Sequence, residues 1–176
     1  MARSQKLKKE FNLKDTELES TYLLPFKITK EPKLIEFQFK IVNFIIGTNV
    51  FLKTVKIKEN DLCGFCENSK ETVKHLFYEC TLVKRFWGYF EVYWYEKTNE
   101  PLKLSLNAVL LGDNQFSDML NYFILVAKYY IFRAKYHQVL PRFKDYVAIL
   151  KANYKIQKRS LFGKSVLFSK MWTFEP

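Results

Sequence analysis

Apolar residues recur at helical spacing through the second half of the chain. Between residues 116 and 134 they share one helical face, which is formed by Phe116, Met119, Leu120, Phe123, Ala127, Tyr130, Ile131 and Ala134. Because the residue before a proline disfavours helical backbone, the pattern predicts a helix of roughly 24 residues that ends before Pro141. We expect this helix to be the centre of the core.

Two further segments have the same periodicity. Residues 82–95 carry aromatic side chains at helical spacing, namely Phe86, Trp87, Phe90 and Tyr93 or Trp94. Pro141 suits the first position of another helix, with an apolar stripe of Phe143, Val147, Leu150 and Tyr154 that can extend to Leu161. A polar break at residues 96–101 and a connector to about residue 115 separate the aromatic segment at residues 82–95 from the long helix. Residues 166–172 can form a last short helix.

The segment before the cysteines predicts two helices. Residues 33–46 are apolar on most sides, which favours a largely buried helix that ends at Gly47. A strand is the alternative, because Phe and Ile also alternate locally. Thr48 can cap a second, short helix that runs to about Lys53.

Residues 1–32 are mostly polar and charged, which predicts an N-terminal tail or linker with Leu23, Leu24 and Phe26 docked on the body. Gly and Pro number five each, which favours long helices over a sandwich of short strands. The predicted fold is therefore all-α. It consists of the tail and a small helical domain, residues 33–174, with a basic C-terminal helix.

The chain carries a large excess of positive charge. Its 176 residues include 29 Lys and Arg against 18 Asp and Glu, a formal net charge of +11. Such an excess favours a polyanionic partner, either nucleic acid or an acidic membrane face. A genome with biased composition, which inflates the lysine count without any binding role, is the alternative explanation.

We expect no signal peptide, because charged residues instead of an apolar segment follow Met1. We expect no membrane span either, since the most apolar stretch, residues 119–131, is short and interrupted by Lys128. Three cysteines are an odd number, which argues against a disulfide framework. These features predict an intracellular protein, nuclear or cytoplasmic, without a membrane or small-molecule partner.

All three cysteines and one histidine lie in one short segment. Cys63, Cys66, His75 and Cys80 form the pattern C-x2-C-x8-H-x4-C, and thiolates and imidazole are preferred zinc ligands. Four protein ligands complete a tetrahedron and leave no position for an activated water. The pattern therefore predicts one structural zinc ion in a CCHC knuckle between helices. Three buried free cysteines, or a redox C-x2-C pair, are the alternatives.

The spacing also predicts how the knuckle is built. Residues five apart lie about 140° apart around an α-helix, so His75 should lie near a helix end and Cys80 beyond it. Asn68 and Glu71 can start that helix as a capping-box pair, and Gly64 can supply left-handed backbone. The other histidine, His137, is predicted to be a surface or satisfied core residue.

Short motifs lie in and around the cysteine segment, namely LCGFC at 62–66, ETVKHLFYEC at 71–80, FW at 86–87, GTN at 47–49, LLG at 110–112 and AKYYI at 127–131. In order and spacing they resemble the zinc-binding region that follows the reverse transcriptase domain in LINE-type non-LTR retrotransposons. The resemblance covers roughly residues 35–140. It implies an RNA- and DNA-handling segment of a polyprotein that performs target-primed reverse transcription, with the four Cys and His residues as metal ligands.

The chain lacks the polymerase and endonuclease of such polyproteins, so we expect that it is not an enzyme. Its five aspartates include no adjacent pair for a two-metal polymerase site; they are Asp15, Asp61, Asp113, Asp118 and Asp145. No Ser-His-Asp arrangement indicates hydrolysis. The chain is accordingly interpreted as a fragment, a degenerate copy or a domesticated module.

Basic residues cluster near the C-terminus, where residues 146–174 contain no acid. The predicted nucleic-acid-binding residues there are Lys144, Lys151, Lys155, Lys158, Arg159 and Lys164, with Lys84 and Arg85 from a second patch that also includes Lys53, Lys56, Lys58 and Lys74. Phe65 or Tyr78 can stack on unpaired bases, although core packing is the alternative. The predicted partner is RNA or single-stranded nucleic acid.

A protein-interaction scaffold is the competing hypothesis. In that case zinc stiffens the helices, which present a groove to a reverse transcriptase domain or another partner. Reversing the charge of Lys151, Lys155 and Lys158 discriminates between the two, because it should abolish RNA binding and leave a protein complex intact.

Overall fold

A computed structural model describes residues 3–160 and 166–176, and within them the chain is all-helical, as predicted. Nine α-helices are described in chain order, namely α1 Arg3–Phe11, α2 Asp15–Ile28, α3 Pro32–Val42, α4 Asn49–Thr54, α5 Thr81–Thr98, α6 Leu106–Leu111, α7 Asp118–Tyr136, α8 Phe143–Arg159 and α9 Val166–Met171. A five-residue π-helix, His75–Glu79, precedes α5. No strand occurs in these two ranges, where an isolated bridge pairs Leu62 with Lys70.

Helix α7 is the centre of the core, as its apolar face predicted. Twelve of its 19 residues are buried, and it contacts α2, α3, α6, α8 and α9. The helix ends at Tyr136, earlier than expected, because Gln138 adopts a left-handed φ of 56°. The N–H groups of Gln138 and Val139 then bond to carbonyls in the last turn, which is a Schellman ending.

The helix predicted to end at Gly47 stops at Val42 instead, for the same reason. Phe44 has a φ of 55°, and its N–H bonds to the Ile41 carbonyl while that of Ile45 bonds to Lys40. The glycine was therefore the wrong stop signal, because a non-glycine residue takes the left-handed position.

The helix predicted after Thr48 is confirmed as α4, and the Thr48 hydroxyl accepts a hydrogen bond from the Phe51 N–H at 3.3 Å.

The N-terminal segment predicted as a tail or linker is helical instead, from Arg3 to Phe11 and from Asp15 to Ile28. Two pairs of residues spaced four apart share a helical face and are buried, Leu7 with Phe11 and Leu24 with Ile28. The first pair lies among charged residues, and Pro25 inside the second helix predicted a break there, so neither stripe was recognised in the sequence.

Leu24 docks on the body as expected, whereas Leu23 and Phe26 are each 57% exposed. The division of the chain into units at residues 1–32 and 33–174 stays a prediction.

Helix α6 lies inside the predicted connector. The Ser105 hydroxyl accepts a hydrogen bond from the Ala108 N–H at 3.1 Å, and the helix ends at Leu111, just before Gly112, which has a φ of 83°. A Cβ on Gly112 would be strained at this positive φ and would lie 2.1 Å from Leu24 Cδ2, so a larger residue would have to displace the Leu24 side chain of α2. Six residues are too few for hydrophobic periodicity to show.

The helices predicted over residues 82–95, from Pro141 onward and over residues 166–172 correspond to α5, α8 and α9. Leu161, the last residue of the predicted apolar stripe after Pro141, lies outside the described residues. Helix α8 begins at Phe143 and not at Pro141, and its Tyr146 and Leu150 side chains are buried. Trp172, just after α9, is buried and donates its indole N–H to Gln157 Oε1 at 2.7 Å. In the described part of the chain no helix is long and apolar enough to cross a membrane.

Lys128 is a buried cation in the middle of α7. Its Nζ donates to Gln38 Oε1 at 2.6 Å and to the Leu110 carbonyl, at the end of α6, at 3.1 Å. Burial without an ionised partner disfavours the charged form and lowers the pKa of Lys128 to about 7. The unfolded chain, in which the pKa is about 10.4, therefore binds more protons between about pH 7 and 10.

We expect Lys128→Met to remove one pH-dependent component of stability. Because the unfolded state holds the extra proton, the free energy of unfolding of the natural chain should rise with pH in this window, by up to about 1.4 kcal/mol per pH unit. Urea denaturation of both chains at pH 7, 8 and 9 measures the effect. Parallel stability curves for the two chains would show that Lys128 is not the titrating group.

Candidate metal centre and basic surface

The structure brings together Cys63, Cys66, His75 and Cys80. Their ligand atoms all lie within 4.8 Å of one another. The Cys63 and Cys80 sulfurs are 4.0 Å apart, and the Cys66 sulfur is 3.3 Å from His75 Nε2. Cys63, His75 and Cys80 are buried and Cys66 is half-buried. This group can hold a metal ion.

The donor set and its dimensions fit zinc. With Zn–S bonds of about 2.3 Å and Zn–N bonds of about 2.0 to 2.1 Å, tetrahedral geometry places two sulfurs about 3.8 Å apart and a sulfur and a nitrogen about 3.6 Å apart. The distances in the structure, 4.0 Å between the Cys63 and Cys80 sulfurs and 3.3 Å between the Cys66 sulfur and His75 Nε2, lie close to these values. The sulfur–sulfur distance is also far longer than a disulfide of about 2.05 Å, and all three cysteines are free. The predicted ligands therefore meet in a shape that suits one tetrahedral ion.

A π-helix positions the second pair of ligands. His75 is its first residue, and Cys80 follows its last, which confirms the predicted placement of both. The Cys80 N–H bonds to the His75 carbonyl at 2.9 Å, five residues back. This wider turn brings residues five apart closer to alignment than an α-helix does. Between them Leu76 and Phe77 are fully buried, which anchors the pair to the core.

Glu71 does not cap this helix, and the predicted capping-box pair with Asn68 is wrong. Glu71 is fully buried and joins three separate segments. Its Oε1 accepts from the Asn49 N–H at 2.9 Å and lies 3.3 Å from Lys135 Nζ, at the end of α7. Its Oε2 accepts from the Gly64 N–H, inside the C-x2-C turn, at 2.9 Å.

The backbone of the C-x2-C turn differs from expectation at one point. The left-handed residue is Glu67, with a φ of 56°, and not Gly64. A Cβ on Gly64 would lie 3.6 Å from Glu71 Oε2, an ordinary van der Waals contact, so neither the backbone nor the buried carboxylate requires glycine at this position. The Thr72 hydroxyl accepts from the His75 N–H at 3.0 Å and starts the helix instead.

The electrostatics of the group favour a thiolate at Cys80. A hydrogen bond from the Cys63 thiol lowers the pKa of Cys80 to about 7, helped by the N–H groups of Val83 and Leu82 at the start of α5. The same bond and burial raise the pKa of Cys63. A cation between the two sulfurs would take the place of this hydrogen bond and favour the thiolate form of both.

The predicted basic residues of α8 are exposed. They are Lys144, Lys151, Lys155, Lys158 and Arg159, and in the described ranges none of them forms an ion pair within 4.0 Å. Lys158 Nζ lies 5.1 Å from the Tyr154 ring centroid. Lys164, the remaining predicted residue of this group, lies outside the described residues.

The second predicted patch is less uniform. Lys84 and Arg85 are exposed on α5, but Lys53 lies 3.5 Å from Asp61 and Lys74 lies 2.5 Å from Glu10. Acidic neighbours therefore neutralise part of the patch near the knuckle. His137 is exposed and contacts Arg133, so it is a surface residue.

The two aromatic residues proposed as base-stacking platforms are packed on the core. Phe65 and Tyr78 are both half-buried against it, and the Tyr78 hydroxyl donates to the Leu104 carbonyl at 2.9 Å. Core packing, the alternative left open by the sequence, is therefore their main role in this structure.

Comparison with known families agrees with the metal site. Residues 12–87 match the family described as zinc-binding in reverse transcriptase. The match covers fewer than half of the 176 residues and includes Cys63, Cys66, His75 and Cys80. It supports a zinc domain of the kind associated with reverse transcriptases. No curated protein matches the chain.

Proposed function

We propose that the chain is a non-catalytic module that binds RNA or single-stranded nucleic acid and is held in shape by one structural zinc ion. Cys63, Cys66, His75 and Cys80 would bind the ion, which would join the C-x2-C turn to the segment between His75 and Cys80. The family match and the four-residue group support the zinc part of this proposal. The LINE-type resemblance supports the nucleic-acid part.

The observation that carries the nucleic-acid part is the row of exposed cations on α8. Lys144, Lys151, Lys155 and Lys158 fall within about 60° on the helix, on one side of the buried stripe. No acidic residue occurs between Tyr146 and the end of this helix. A straight row of unpaired cations can follow a phosphate backbone without reading base sequence.

A protein-interaction scaffold is the second candidate, and the other side of α8 favours it. Ile149 and Ile156 are 37% and 67% exposed there, and Val139 is 55% exposed. A groove of about 340 Å³ runs beside Ile149 between α3, α7 and α8. Exposed apolar side chains along a groove are typical of protein-binding surfaces.

We expect Lys151→Glu, Lys155→Glu and Lys158→Glu together to weaken RNA binding strongly. Loss of three phosphate contacts should make the negative slope of log affinity against log salt shallower by about 2. Counterion release also predicts that the affinity itself falls by about tenfold or more. Fluorescence anisotropy of labelled single-stranded RNA at several salt concentrations measures both quantities.

The matched control reverses Lys9, Lys14 and Lys30, which are exposed on or beside α1 and α2 and change the net charge equally. It should retain the salt slope. Equal losses in both triple variants would mean that net charge, not the α8 surface, drives binding. An affinity of the natural chain that ignores salt would contradict the proposal and leave the scaffold hypothesis in place.

A further inference from the structure

A second groove lies on the side of the molecule where α5 approaches the start of α8. It has a volume of about 450 Å³ and lies between the first turns of α5 and the chain that joins α7 to α8. Its lining consists of Leu82, Arg85, Phe86, Tyr89 and residues 140–144. None of these residues is acidic, and all of them belong to the described part of the chain.

The groove presents one aromatic ring, that of Tyr89, to solvent. Tyr89 is 56% exposed, and its ring lies 6.2 Å from that of Phe143 at an angle of 35°. Phe143 is held in turn by the rings of Phe86 and Tyr146, at 5.4 and 5.5 Å. Tyr89 therefore stands on a packed aromatic support and loses little conformational freedom when a flat ligand covers it.

Cations flank this aromatic surface from two different helices. Arg85 lies one turn before Tyr89 on α5, and Lys144 lies next to Phe143 on α8. Both are exposed, and no carboxylate lies within 4.0 Å of either in the ranges that the structure describes. Arg142 contributes less net charge, because its guanidinium lies 2.8 Å from Asp145.

We propose that this groove binds an unpaired nucleobase stacked on Tyr89, with the adjoining phosphates against Arg85 and Lys144. Every base has a flat face that stacks on an aromatic ring, and its phosphate requires a cation nearby. The volume suits a small planar ligand, since ligand pockets measure roughly 300 to 1,000 Å³. The inference rests on the proposed function and adds a preference for unpaired over paired strands.

The test compares Tyr89→Phe with Tyr89→Leu. Phenylalanine keeps the stacking face, whereas leucine keeps apolar bulk without it. The probe is single-stranded RNA that carries 2-aminopurine, whose fluorescence falls on stacking. We expect the natural chain and Tyr89→Phe to quench this fluorescence, and Tyr89→Leu to quench less and bind roughly tenfold more weakly, with an unchanged salt slope.

A fully paired RNA of the same length provides the control, since its bases cannot reach Tyr89. The leucine variant should bind it as the natural chain does. Equal single-strand affinity and quenching in the leucine and phenylalanine variants would overturn the inference while leaving the α8 proposal intact. If the natural chain binds no RNA, the proposed function fails first and the inference fails with it.

Discussion

Chelation of zinc is expected to lower the midpoint of thermal unfolding by about 20 °C or more, since structural zinc contributes about 10 kcal/mol or more in comparable sites. Residues 55–72 contain no helix and little buried apolar surface of their own. Without the ion they lose the link between the C-x2-C turn and the start of α5. Circular dichroism melts with and without chelator measure the shift.

Histidine variants provide a matched pair for this prediction. His75→Ala removes a ligand and should melt near the chelated protein, whether or not zinc is added. His137→Ala changes the other histidine, which is exposed and distant in sequence from the group, and should melt like the natural chain. A melt of His75→Ala that zinc still raises fully would exclude His75 as a ligand.

Glu71→Ala is expected to destabilise the metal-loaded protein by about 3 to 5 kcal/mol, the usual cost of removing one partner from a buried ion pair. The Lys135 side chain is only 9% exposed and would lose its carboxylate. The N–H groups of Asn49 and Gly64 would lose their acceptor as well. Urea denaturation in the presence of zinc measures the change.

The double variant Glu71→Ala with Lys135→Met separates charge from hydrogen bonding. Removing both charges should cost less than the sum of the two single changes, because no uncompensated ion remains. Additive stability changes would contradict a direct coupling of Glu71 to Lys135.

Zinc affinity should fall about 10- to 100-fold in Glu71→Ala, since the carboxylate holds the turn between Cys63 and Cys66.

Local sequence signals predicted most of the helices. The Thr48 cap and the apolar face of α7 both depend on residues three or four positions apart, so the sequence alone indicates these helices. Helix ends were harder to predict, because Phe44 and Gln138 take left-handed positions that glycine usually fills. Which residue accepts that conformation depends on tertiary packing as well as on residue type.

The group of three cysteines and one histidine was predictable because its spacing is itself local. The function of Glu71 was not, because its partners Asn49 and Lys135 lie 22 and 64 positions away in the sequence and meet it only in the fold. The same reason conceals the groove at Tyr89. Arg85 and Lys144 were both predicted as basic surface residues, but nothing in the sequence indicates that they flank one aromatic ring.

The most direct test of the whole interpretation is the metal content of the purified protein, measured by plasma mass spectrometry against protein concentration. We predict one equivalent of zinc per chain, lost in both Cys63→Ser and His75→Ala and retained in His137→Ala. A folded natural chain that contains no zinc and takes up none when it is supplied would contradict a metal-held knuckle.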